Sequence, residues 1–167
     1  MSDLTIALAG NPNAGKTTIF NLLTGLHQHT GNWPGKTVEK KEGEVQHGKM
    51  KINIVDLPGT YSLTAYSPEE IIARDFIIQE HPDVVINVVD ATNLERNLYL
   101  TVQIMELDVP VVVALNMSDD LLKNGTKINL DQLSQLLGGV PVISTTANRG
   151  EGISDLISEA VRAARRN

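Results

Sequence analysis

Gly10-Asn11-Pro12-Asn13-Ala14-Gly15-Lys16-Thr17 has the form GxxxxGKT, the spacing of a phosphate-binding loop. An apolar run, Leu4–Ala9, precedes it, and a helix-like segment, Thr18–Leu23, follows. A strand, a glycine-bearing turn and a helix in that order are the context the motif requires. Glycines let successive backbone N–H groups face inward and cradle anionic oxygens. The helix N-terminus adds a dipole that favours negative charge. Lys16 is long enough to reach β- and γ-phosphates, and the Thr17 hydroxyl suits Mg²⁺. Gly10, Asn13, Ala14, Gly15, Lys16, Thr17 and Thr18 are the candidate phosphate contacts. A plain Gly/Asn/Pro turn is the alternative, and the flanking patterns weigh against it.

Outward from this loop, β-rich apolar runs alternate with helical patterns. Strands are expected at Leu4–Ala9, Thr37–His47, Met50–Asp56, Val84–Asp90, Val111–Leu115 and Pro141–Ser144. Helices are expected at Lys16–Thr24, from Pro68 through Ile77, around Leu98–Met105, at Leu130–Leu137 and at Ile153–Arg165. Ser67-Pro68-Glu69-Glu70 is a strong helix start, with an N-cap serine, a first-turn proline and a capping-box glutamate. Gly25–Lys36 is polar and aperiodic and reads as a long loop, which leaves Thr37–His47 as an exposed edge strand. The order βαββαβαβαβα predicts an α/β fold, a mostly parallel six-stranded sheet with helices on both faces. Ligands of such sheets bind at the carboxyl ends of the strands.

The 167 residues carry no repeat, linker or low-complexity tract, so residues 1–167 read as a single domain. A net charge of −6 argues against nucleic-acid partners, and no apolar run approaches the roughly 20 residues of a membrane span. With no cysteine, disulfides and thiolate metal sites are excluded. The start, Met1-Ser2-Asp3, lacks the basic residues of a signal peptide.

The remaining motifs fall at strand ends. Asp56-Leu57-Pro58-Gly59 follows the third strand, where Asp56 can organise Mg²⁺ and the Gly59 N–H can meet a γ-phosphate oxygen. Asn116-Met117-Ser118-Asp119 follows the fifth. Guanine presents N1–H and an amino group side by side, and one carboxylate, Asp119, accepts from both. Adenine would leave that carboxylate unpaired, and a stranded buried group rejects the wrong base strongly. Asn116 is placed to tie this segment to the phosphate loop; a helix N-cap is the competing reading of Asp119. Ser144-Thr145-Thr146-Ala147 ends the last strand and can offer a backbone N–H to the base, though a hydroxyl-rich turn needs no ligand to explain it. In the long loop, the Thr37 hydroxyl could complete Mg²⁺ coordination when a γ-phosphate is present, and relax after hydrolysis. Trp33, the single tryptophan, reads as an anchor for that loop.

Together GNPNAGKT, GNWPGKTVEKKEG, DLPGTYSLT, ARD, VVDATNLERNLYLT and NMSD resemble the N-terminal GTPase domain of the ferrous iron transport protein B family, over nearly the whole chain. The resemblance implies a Ras-like P-loop fold, GTP/GDP and Mg²⁺ binding, and slow GTP hydrolysis. Proteins of that family are membrane transporters of Fe²⁺ whose G domain precedes a helical domain and membrane helices. This chain is then expected to be the G domain alone, at the cytoplasmic face of the membrane within the full protein and soluble by itself. Its partners would be guanine nucleotide and the rest of its own transporter, with assembly into oligomers left open. The nucleotide contacts implied include Asn116, Met117, Asp119, Ser144, Thr146 and Ala147; Mg²⁺ would take Thr17, Thr37 and Asp56. The family also implies K⁺ held by Asn13 and by the backbone carbonyls of Gly31 and Trp33, near the place of an arginine finger's charge. Asn13, Lys16, Thr37 and Gly59 are the catalytic candidates. Many Ras-like enzymes carry a water-orienting glutamine after the DxxG glycine; here that residue is Thr60, and no arginine lies between the phosphate loop and Thr37, so slow turnover is expected. Competing readings are a nucleotide switch with negligible hydrolysis, a ribosome-assembly or tRNA-modification GTPase, and a nucleoside kinase.

Overall fold

The structure, a computed structural model, describes residues 2–166. Five parallel strands and an antiparallel hairpin at one edge build a seven-stranded sheet. β1 (Leu4–Gly10) lies between β4 (Met50–Asp56) and β5 (Val84–Asp90), and β6 (Val111–Asn116) and β7 (Val142–Ser144) extend the sheet in parallel. β2 (Gln28–Asn32) and β3 (Glu39–His47) complete the other edge as an antiparallel hairpin. The helices are α1 (Lys16–Thr24), α2 (Pro68–Glu80), α3 (Leu94–Met105), α4 (Ser118–Lys123), α5 (Leu130–Leu136) and α6 (Ile153–Arg165). Among the described residues, no helix is long and apolar enough to cross a membrane.

Strand alternation divides the core. Ile6 and Leu8 of β1 face Phe20 of α1 and Leu156 of α6, whereas Ala7 and Ala9 face Ile72 of α2 and Leu100 of α3. A sheet covered on both sides needs strands without a polar face. From Val84 to Val89, β5 meets that demand except at Asn87, which is fully buried. Its amide donates to the Ala9 carbonyl at 3.3 Å, and its oxygen accepts from the buried Thr101 hydroxyl of α3. Through Asn87, α3 is thus fixed to β5 and β5 to β1, the strand that leads into the phosphate loop.

Two segments depart from the sequence expectation, and the sheet has seven strands rather than six. Gln28–Asn32, expected as loop, pairs with β3 from Gln28↔Gly43 to Asn32↔Glu39. Its residues are almost all exposed, so backbone pairing holds it and no apolar alternation betrays it. β3 is consequently an inner strand, beginning at Glu39, two residues after Thr37. The short helix α4 was also not expected. The start of α2 is as read: Ser67 Oγ accepts from the Glu70 N–H at 3.1 Å, with Pro68 in the first turn.

Thr101→Val keeps the side-chain shape and removes the hydroxyl that donates to the buried Asn87 oxygen, leaving that acceptor unpaired. The expected cost is about 1–3 kcal/mol, read as a lower urea midpoint at unchanged m-value.

Candidate functional site

The loop from β1 to α1 turns through two left-handed residues, Asn13 (φ 69°) and Gly15 (φ 98°). A Cβ on Gly15 would stand 2.0 Å from Asn116 Nδ2, so glycine is required there by both backbone and space. The loop lines a cleft of about 490 Å³ with Asn13, Gly15, Lys16, Thr17, Thr18 and, from across it, Gly59. The first turn of α1 opens into this cleft, the arrangement of an anion cradle.

Lys16 Nζ lies 2.5 Å from Asp56 Oδ1, and both side chains are about nine-tenths buried. Burial pushes the Asp56 carboxyl above its usual range, and the neighbouring ammonium of Lys16 opposes that rise. A carboxylate and an ammonium thus face each other at the mouth of the loop. Beyond Asp56, the Leu57 N–H donates to the Leu8 carbonyl and the Thr60 N–H to the Gly10 carbonyl, each at 3.0 Å. A Cβ on Gly59 would sit 3.3 Å from Pro12 Cα, so this turn packs against the phosphate loop.

The chain after Thr60 is held by side chains. Thr60 itself is buried, and Arg96 of α3 stacks over Tyr61 at 4.2 Å. The Leu63 N–H donates to Gln103 Oε1 at 2.6 Å. The Glu70 carboxylate gathers Ser62 Oγ and Thr64 Oγ1, each at 2.7 Å, and Ser67 Oγ at 3.0 Å. The motif ERNLYLT is therefore largely structural here. Arg96 holds Tyr61, Asn97 accepts from the Asp90 N–H and donates to the Asn93 carbonyl, and Thr101 binds Asn87.

Asn116, at the end of β6, makes the link expected of it. Nδ2 donates to the Ala14 carbonyl in the phosphate loop, and Oδ1 accepts from the Thr145 hydroxyl and the Ala147 N–H, all at 3.0 Å. Met117 follows in the left-handed region (φ 63°) and starts α4, whose first turn carries Asp119. The Asp119 carboxylate lies 3.7 Å from Arg149 Nε, a neighbour that the sequence did not announce. Ser144 Oγ donates to Ser118 Oγ at 2.8 Å. The Thr146 N–H donates to the Glu151 carbonyl and the Ala147 N–H to Asn116, so a base contact at either position requires those bonds to be shared or exchanged.

The structure does not bring the long loop to the cleft. Thr37 is exposed and absent from the cleft lining, and Gly31 lies in β2 opposite Lys40. The Trp33 carbonyl accepts from the Lys36 N–H at 2.9 Å. The Trp33 ring is buried edge-on to Phe76 of α2 at 5.8 Å, with Lys40 Nζ 4.7 Å from its centroid. The anchor reading of Trp33 holds, and it draws the loop towards α2.

Residues 4–160 match the family model described as ferrous iron transport protein B. The Fe(2+) transporter FeoB of Escherichia coli is 53% identical over 160 residues, 93% of this chain but 21% of that protein. An Fe(2+) transport protein A/Fe(2+) transporter FeoB fusion protein of Porphyromonas gingivalis is 51% identical over 95% of the chain and 19% of its own length. The chain thus spans about a fifth of these curated relatives. Among solved structures, the FeoB G-domain of Methanococcus jannaschii is 49% identical and superposes with a TM-score of 0.87, covering 99% of both chains. A GDP-bound S. thermophilus NFeoB mutant is 52% identical with a TM-score of 0.91, over 96% of this chain and 62% of that one.

The hydroxyls of Ser62, Thr64 and Ser67 hold the Glu70 carboxyl below its usual value of 4.5. A lowered folded-state value means that the ionised form stabilises the fold above pH 4.5, and that this contribution fades as pH falls through the folded value. Urea midpoints measured against pH should show wild type losing stability relative to Glu70→Gln on acidification below that point. The difference should be constant above pH 6, about two units clear of an ordinary carboxyl.

Proposed function

The chain belongs to the ferrous iron transport protein B family, and from that membership we propose that it binds guanine nucleotide and hydrolyses GTP as the regulatory domain of a longer Fe²⁺ transporter. The observation that carries the reading is the Asn116 brace. One buried side chain bonds the phosphate loop at Ala14 and the last βα turn at Ala147, and the same segment presents Asp119. Phosphate cradle and base-selecting carboxylate are therefore held at a fixed separation, as recognition of one mononucleotide demands. GDP-bound structures among the relatives support the same nucleotide class.

Residues 1–167 act in this reading as one G domain, with iron movement served by the rest of the longer protein. The protein's own part in hydrolysis is positioning and charge. Lys16 leaves Asp56 to meet β- and γ-oxygens, the loop amides hold the phosphates, and the Gly59 N–H faces the terminal one. Thr17 and Asp56 supply hard oxygen donors at the cleft mouth, a set that fits Mg²⁺; Thr37 joins them once its loop swings in from the α2 side. Bound there by Thr17 and Asp56, Mg²⁺ would neutralise charge on the β- and γ-phosphate groups. Asp119 accepts from guanine N1–H and the amino group, with Met117, Ser144, Thr146 and Ala147 around the base. Thr60, which follows Gly59, is short and buried and a poor orienter of water, so slow turnover is expected.

The Asn13 side chain on the loop rim is the proposed K⁺ ligand. Completing that site with the Gly31 and Trp33 carbonyls requires the Trp33–Lys36 turn to open. A switch with negligible hydrolysis is the second reading, favoured by the burial of Thr60.

Competition against labelled GDP should rank GTP and GDP well above ATP, and Lys16→Ala should weaken GTP by at least about tenfold, the scale of one charge-assisted phosphate contact of about 1.5–3 kcal/mol. Preference for ATP would sink the reading. Steady-state GTP turnover should be faster in KCl than in NaCl at equal ionic strength, and Asn13→Ala should remove the difference. Equal wild-type rates in both salts would end the K⁺ proposal, and no turnover in either would favour the switch.

A further inference from the structure

Arg149 has no part in the reading above, yet it is the one cation placed within 4.0 Å of Asp119 among the described residues. It ends a 3-10 turn, Ala147–Arg149, and its Nε stands 3.7 Å from Asp119 Oδ2. The carboxylate is 15% exposed and the guanidinium side chain 54%, so the arginine reaches in from the rim over a mostly covered acid.

The turn that carries Arg149 is built rigidly. The Arg149 N–H donates to the Thr146 carbonyl at 3.0 Å, and Thr146 and Glu151 exchange backbone hydrogen bonds at 3.0 and 3.1 Å. The turn closes through Gly150 (φ 70°) and Gly152 (φ 82°), and a Cβ on Gly152 would lie 2.3 Å from the Ser144 carbonyl oxygen. Its first residue, Ala147, is bonded to Asn116. The residue that positions the phosphate loop thus also aims Arg149 at the acid that selects the base.

One carboxylate has two suitors. Guanine must occupy both oxygens of Asp119 with adjacent N–H donors, and the guanidinium claims one of the same oxygens without any ligand. A site partly closed by an internal partner loses apparent affinity in proportion to the closed fraction. We propose that Arg149 is a positioning residue for base recognition, an internal counter-ion of Asp119 that guanine must displace, so that it slows nucleotide capture. The inference rests on the guanine reading. A half-exposed ion pair sets the size of the effect at about two- to fivefold.

The test is stopped-flow binding of a fluorescent GDP to wild type and Arg149→Gln at low and high salt, with ADP as the control ligand. Arg149→Gln should associate two- to fivefold faster at low salt with little change in dissociation rate, and the gap should narrow at high salt as the ion pair is screened. In an Asp119→Asn background, assayed with xanthosine diphosphate, whose 2-oxo group matches the asparagine amide, Arg149→Gln should change nothing. A merely structural arginine would not follow the charge of residue 119. Wild type that prefers ADP would overturn the guanine reading and this inference with it. A clear GDP preference with an unchanged or slower Arg149→Gln would overturn the inference alone, as would an equal gain in the Asp119→Asn background.

Discussion

At the carboxyl edge of the sheet, one asparagine ties the phosphate loop to the last βα turn through three hydrogen bonds. Asn116 is 3% exposed and satisfies an orphan carbonyl of the phosphate loop and two donors of the last βα turn. Removing such a group leaves three buried partners unpaired, each costing about 1–3 kcal/mol. The close approach has a sequence consequence one strand away: Gly15 lies against Asn116 Nδ2 with no room for a methyl group. The GK step of the phosphate loop and the first residue of NMSD are therefore a single packing unit, although 101 positions part Gly15 from Asn116.

The second constraint is electrostatic. Lys16 and Asp56 are too buried to stand alone as charges, and each is the other's compensation. Burial raises the acid, and the neighbouring ammonium opposes that rise. In the proposed reading, phosphate would take the place of Asp56 at Lys16, and a divalent cation that of Lys16 at Asp56. That exchange would convert one internal ion pair into two contacts with ligand.

Legibility in the sequence followed how each element is stabilised. β1, β4, β5 and β6 are held by apolar burial, so their runs of Val, Ile and Leu announced them. β2 is held by backbone pairing alone, and Gln-His-Thr-Gly-Asn carries no period to read. α4 is a six-residue helix with no buried residue, below the length at which periodicity speaks. The site divides in the same way. Residues in fixed spacing along one turn, Gly10 to Thr17 and Asp56 to Gly59, were legible, and so was the tie from Asn116 to the phosphate loop. Arg149 beside Asp119 and Arg96 over Tyr61 come from separate segments meeting in space, and neither local sequence points to its partner. The position of Thr37 was legible only as chemistry, because its loop follows Trp33 into the α2 face.

The most direct measurement is a crystal structure of this chain with Mg²⁺ and a non-hydrolysable GTP analogue. The account predicts the Asn116–Ala14 bond intact, Lys16 moved from Asp56 onto the phosphates, and both oxygens of Asp119 on the guanine edge. A nucleotide bound with Lys16 still on Asp56, or with its base away from Asp119, would contradict it.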